Sequence, residues 1–327
     1  MIKRRKLMLT LGAMSLNPSF AWAQQSVRMA RIGILGATSA SGFATRWEAL
    51  RAGLRELGYI EGKNISIDYR WADGKFERLP ELAKELVNLK IDVLITHGIP
   101  GTTAAKRATA TIPIVMATVT DPVATGLVAN LAQPGGNVTG MAFFAPELSA
   151  KRLELLKETN PRVAQVAVLL NPDNPMFSQT MLKAMEVTAK ALNLRLYPFE
   201  ARASSDYDAV ISAIANQRVD ALAVLEEITL NANAAVISTS AKKYQLKSIG
   251  NKEFAEAGGL IGYGANSHDL FRRAGGLVAK ILKGAKPGEL PVEQATTFEL
   301  VVNMKTANLL GIKIPNPILL QATKILD

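Results

Sequence analysis

The chain has 327 residues, 48% of them hydrophobic and 20% charged, with a formal net charge of +10 and no cysteine. That length holds one large core or, more readily, two, and the missing cysteine excludes disulfides, thiolate metal sites, cysteine nucleophiles and a lipid-modified cysteine anchor. The only two histidines, His97 and His268, are far apart and no HExxH occurs, so no metal site is expected.

Lys3, Arg4, Arg5 and Lys6 precede an apolar run over 7–16, and Ala21-Trp22-Ala23 supplies an A-x-A cleavage site. This pattern predicts a signal peptide over 1–23, a mature start at Gln24 and a periplasmic location. A membrane-spanning first helix needs roughly 20 apolar residues, more than this run offers. Arg4-Arg5 also resembles a twin-arginine export signal. Removing the leader lowers the net charge to +6. The remaining Lys and Arg are spread among acidic residues with few aromatics beside them, so no nucleic-acid partner is expected.

Arg31 to Gly42, RIGILGATSASG, reads as a first strand buried on both faces that breaks into a loop of small hydroxylated residues and glycine. Phe43, Trp47, Leu50, Leu54 and Leu57 then recur at helical spacing, and Gly58 stops the helix. A strand over 65–71, an Asp73-Gly74 turn and a helix over 76–89 follow. Strand 93–96, helix 102–109 and strand 112–119 continue the alternation. Asp121-Pro122 opens a predicted short helix to 131, Gly135-Gly136 turns the chain, and 138–143 is one more strand.

After a helix over 147–158 the pattern restarts: strand 163–170, helix 176–192, strand 194–199, helix 206–216, strand 221–225 and helix 230–244. Strands over 246–249 and 260–263, a helix over 267–282, a strand over 298–303 and a short closing helix complete the chain. The alternation predicts an α/β protein with two Rossmann-like lobes, parallel-type sheets and a multi-crossover hinge. We expect lobe 1 to hold 28–144 plus about 266–290, and lobe 2 to hold 145–265 plus about 291–327. The break at 144–146 is the candidate hinge, and a second break falls at 284–291.

GILGATSASG is similar to the glycine-rich turn of semialdehyde dehydrogenases, but those enzymes need a cysteine, and the G-x-G-x-x-G spacing is missing. GYIEGKN over 58–64 has three residues between its glycines instead of four, and Asn64 where a magnesium-binding hydroxyl belongs. No G-x-S-x-G elbow occurs. No cofactor and no catalytic residue are therefore expected.

What remains is polar residues at predicted strand ends, where ligands sit in open α/β sheets. These are Thr38, Ser39, Ala40 and Ser41; His97, Gly98 and Ile99; Thr120 and Asp121; Asn171, Asn174 and Phe177; Glu226 and Glu227; and Asn251. Hydroxyls and helix N-termini suit a carboxylate, and Asp121 or Glu227 suits an ammonium group. Each has a structural alternative. Asp121 before Pro122 fits a helix N-cap, Asn171-Pro172 fits a turn, and His97 fits a hydrogen-bonded wall residue.

Four segments carry a resemblance over nearly the whole mature chain: LRAGLRELGYIEGKNISIDYRWADGKFERLPELAKELV; IPIVMATVTDPVATGLVANLAQPGGNVTG; ELSAKRLELLKE; and EAGGLIGYGANSHDLFRRAGGLVAKILKGAKPGELPVEQATTFELVVNMKTANLLGIKIP. With them the chain resembles the type I periplasmic substrate-binding proteins of ABC transporters, in the subgroup related to tryptophan-binding members. The resemblance implies two lobes joined by three crossovers that close on a small solute, an amino acid or small carboxylate. It also implies delivery of the solute to an ABC permease driven by a cytoplasmic ATPase, and we expect the protein to be a monomer. Many relatives have Pro-Asp where this chain has Glu226-Glu227. Two alternatives are a ligand-sensing partner of a membrane receptor and an NAD(P)-dependent oxidoreductase.

Overall fold

The structure, a computed structural model, describes residues 29–327. The leader expected over 1–23 lies outside them. The first lobe opens with β1 (Ala30–Gly36), α1 (Ala44–Glu56), β2 (Ile65–Trp71), α2 (Leu79–Asn88), β3 (Val93–Thr96), α3 (Gly98–Ala108), β4 (Ile114–Thr120) and β5 (Val138–Phe143). The chain then crosses into α4 (Ala145–Thr159), β6 (Gln165–Leu170), α5 (Pro175–Ala191), β7 (Arg195–Glu200), α6 (Tyr207–Asn216) and β8 (Ala221–Val224). There follow α7 (Ile228–Ala232), α8 (Ala234–Lys243), β9 (Ser248–Gly250), α9 (Lys252–Glu256) and β10 (Ile261–Ala265). It returns for α10 (Ser267–Leu282) and β11 (Glu293–Gln294), and leaves again for β12 (Phe298–Asn303), α11 (Met304–Leu309), α12 (Asn316–Gln321) and β13 (Lys324–Leu326).

Two sheets result, in the orders β11-β5-β4-β3-β1-β2 and β13-β12-β10-β9-β8-β6-β7. Every described pairing in the first is parallel, and in the second only β10 with β12 is antiparallel. Three crossings join the lobes, and the third falls between Gln294 and Phe298 because β11 is hydrogen-bonded to β5. Side chains along β1 alternate between two apolar layers. Ile32 and Ile34 meet Trp47, Leu50 and Leu54 of α1 with Phe271 of α10, whereas Leu35 meets the α2 residues Leu82 and Leu86. One continuous cluster fills the second lobe.

Two predicted helices take another form. Residues 122–131 form turns, because Gly126 at φ +68° breaks any helix that Pro122 starts. The helix expected over 230–244 divides at Asn233 into α7 and α8. The C-terminal β13, which lacks an apolar run, adds a strand beside β12.

Candidate ligand-binding site

The lobes meet along a cleft lined by strand-end loops from both sheets. His97 follows β3 and stands at the N-cap of α3 without a side-chain hydrogen bond to the helix, and Gly98 opens that helix at φ +68°. Gly98 and Ile99 line the cleft and their N–H groups have no side-chain cap, so they suit an anion, whereas Pro100 beside them has no N–H. Thr118, Val119 and Thr120 from β4 and Phe143 from β5 continue this wall. Phe177 on α5, the loop 226–228 and Asn251 form the opposite wall.

Charge enters the cleft in opposed pairs. Arg46, on the inward face of α1, donates from Nε to Ser267 Oγ at 3.0 Å and lies 3.5 Å from Glu253 Oε1. Its guanidinium also sits 4.3 Å from the centre of the Phe43 ring. The Ser267 hydroxyl donates to Glu253 in turn. Burial raises the Glu253 carboxyl, but Arg46, then the Ser267 hydroxyl and Lys252, outweigh it and hold it below the usual carboxylate range. Beneath the other wall, Arg152 donates to Glu226 and, at 2.7 Å, to the Tyr263 carbonyl. Burial pushes Glu226 up, opposed by Arg152.

Glu227 is buried and already engaged. It caps α7 by accepting from the N–H groups of Thr229 at 2.8 Å and Leu230 at 3.2 Å, and from the amides of Asn171 and Asn174. Its carboxyl is raised by burial against these donors. This carboxylate shapes the wall with α7, leaving Glu226 and Glu253 as the cleft's better partners for an ammonium group. Asn251 spends Oδ1 on Phe254 N–H at 3.0 Å, whereas its buried Nδ2 has no protein partner.

Of the residues expected at the site, Gly98, Ile99, Thr120, Phe177, Glu226, Glu227 and Asn251 line the cleft with Asn174, and Asn171 stands behind Glu227. The first loop goes elsewhere. Thr38 and Ser39 face an adjacent interlobe crevice with Lys75, Arg202 and Thr229, while Ala40 and Ser41 are exposed. Ser39 Oγ lies 3.2 Å from Ser41 Oγ and accepts from Gly42 N–H at 3.3 Å, so these hydroxyls serve the turn itself. Asp121 does not reach the cleft. At φ +37° it accepts from Ala124 N–H at 3.0 Å and caps a turn instead of a helix.

His97 lies behind the cleft wall: fully buried, it accepts from Ala37 N–H at 3.3 Å with its ring 4.4 Å from that of Phe43. Sequence reasoning missed Arg46, Arg152, Glu253 and Ser267. For the two arginines a signal existed. Arg46 falls three residues after Phe43 and four before Leu50, and Arg152 four after Leu148 and four before Leu156, so each is a charge on an apolar helix face.

Two α/β lobes, three crossings and a cleft between strand ends define a type I periplasmic binding protein, the fold shared by solved solute receptors of low sequence identity. The chain belongs to the ABC transporter substrate-binding protein family, whose model matches residues 31–326. It is 30% identical to a tyrosine-binding protein of Clostridioides difficile over 262 residues, 80% of this chain and 74% of that one. A solved ABC domain from Streptococcus pneumonia in complex with L-Trp is 28% identical with a TM-score of 0.82, over 91% of this chain and 99% of that one. A ligand-free, open substrate-binding protein with adhesive properties from Clostridium difficile, 26% identical over the same shares, gives 0.65.

Proposed function

We propose that this substrate-binding protein captures an aromatic L-amino acid, tryptophan or tyrosine, between its lobes and hands it unaltered to an ABC permease. The observation that carries the reading is a cleft lined by opposed charges, Arg46 with Glu226 and Glu253, together with the rings of Phe43, Phe143 and Phe177. Arg46 with the first-turn N–H groups of α3 suits the carboxylate, Glu226 and Glu253 suit the ammonium group, and Phe43, Phe143 and Phe177 suit a ring. What the two relatives bind supports this choice.

Binding energy gathered from both walls favours the closed arrangement over the open one. In this reading the mature protein is a periplasmic monomer that begins at Gln24, and binding involves no chemical turnover. Calorimetric titration of the purified protein with each L-amino acid tests the reading. Micromolar or tighter binding of L-tryptophan or L-tyrosine, recovered unchanged by mass spectrometry, is expected. Failure of both to bind overturns it.

A further inference from the structure

Helix α7 has five residues and belongs by connectivity to the second lobe, yet its side chains divide between the two. Leu230 is buried in the second-lobe cluster. Ile228 and Ala232, four residues apart and hence on one helical face, pack on the apolar clusters of the first lobe. Where they land, the first lobe has glycine. A Cβ on Gly42 would lie 2.8 Å from Ala232 Cβ, and one on Gly98 would lie 3.1 Å from Ile228 Cγ2. Gly98 needs its φ of +68° in any case, but the backbone of Gly42 has no positive φ. Its missing side chain therefore answers to the space that Ala232 occupies. On either side of this contact lie the aromatic cleft, with Ile228, and the polar crevice, with Thr38 and Ala232.

We propose that α7 is the wedge that sets how far the lobes close, and that Gly42 is its seat, a positioning residue for ligand retention that acts through Ala232. This rests on the solute-capture reading. Packed surfaces do not yield by an ångström at small cost, so a side chain at position 42 stops the lobes short of their stop and leaves the cleft ajar. In an open form Ala232 would move away with its lobe, and the same Cβ would keep only the ordinary contacts of its own loop, with Ser39 Oγ at 3.4 Å and Thr38 Oγ1 at 3.5 Å.

The test measures dissociation of L-tryptophan and L-tyrosine by stopped-flow fluorescence. Gly42→Val is expected to raise the off-rate at least tenfold with the melting temperature of the unliganded protein unchanged. Gly42→Ala is expected to fall between, returning to within twofold of wild type when combined with Ala232→Gly. Ala232→Leu applies the same obstruction from the other lobe and carries the test if Gly42→Val does not fold. Off-rates within twofold of wild type for both bulky variants overturn the proposal. A readout without ligand separates this from the capture reading: the chain has no cysteine, so a Gly42→Cys, Ala232→Cys pair oxidised with diamide reports the contact alone. An intramolecular cross-link supports the seat even where neither amino acid binds. Intermolecular dimers alone, with or without amino acid, overturn it.

Discussion

Arg46 on α1 and Glu253 on α9 belong to different lobes yet lie 3.5 Å apart, with the Ser267 hydroxyl at the second crossing bonded to both. The two lobes therefore share a buried ion pair beside the second crossing. Removing one partner of such a pair strands the other, at about 3–5 kcal/mol. Because the pair spans the lobes, the loss falls on the closed form. Arg46→Met is predicted to weaken L-tryptophan or L-tyrosine binding by at least about 100-fold, at 1.4 kcal/mol per tenfold, with little change in unliganded melting. Calorimetry beside a thermal melt checks both halves, and a variant with wild-type affinity refutes the role.

Acid is predicted to destabilise the fold from an unusually high pH. Burial, then Arg46, pushes the His97 imidazole down to about 3, against about 6.5 in an unfolded chain. A folded value below the unfolded one means stability is full above about 6.5 and falls as pH drops toward 3, by at most about 1.4 kcal/mol per unit. Glu253, also held low, adds a loss only below the ordinary carboxylate range. Glu226 and Glu227, whose carboxyls burial raises, gain stability as pH falls and oppose this loss. The His97 part is therefore read as the difference in melting temperature between the protein and His97→Gln from pH 7 to 4, expected to change from about 6.5 downward. Parallel slopes for the two proteins contradict this.

Arg152 and Glu226 form the second buried pair, and here both members belong to the second lobe. Arg152→Met leaves Glu226 without its counter-charge and is predicted to lower stability by about 3 kcal/mol, whereas adding Glu226→Leu restores much of it. Urea denaturation resolves the two. Equal stability of the single and double variants rules out the coupling.

Helices α1 and α10 touch backbone to backbone at Gly53, where a Cβ would sit 2.1 Å from the Arg272 carbonyl oxygen. Gly53→Val forces the helices apart and is predicted to cost about 1–3 kcal/mol, read as a lower melting temperature.

Much of the fold was legible because buried parallel strands read as short apolar runs and helices as amphipathic repeats with caps: 138–143, 267–282 and 298–303 match β5, α10 and β12 residue for residue. Periodicity said nothing of strand direction, so the antiparallel course of β12 was not legible. It also overran α7, where Asn233 divides one apparent helix without a proline or glycine. At the site, strand-end positions were found because topology alone puts them there. The pairings were not: Arg46 and Arg152 mark themselves as charges on apolar helix faces, but a partner more than 70 residues away in sequence leaves no local trace of which carboxylate each one meets.

The crossings also govern how the chain matures. Helix α10 covers Trp47, Leu50 and Leu54 of α1, but it emerges only after the whole run of second-lobe elements from α4 to β10. Until then a nascent first lobe carries a bare apolar stripe and lacks its edge strand β11. The two halves consequently cannot mature one after the other as beads on a string: a fragment ending near residue 200 is predicted to be sticky and unstable, and the lobes complete themselves together once synthesis nears its end.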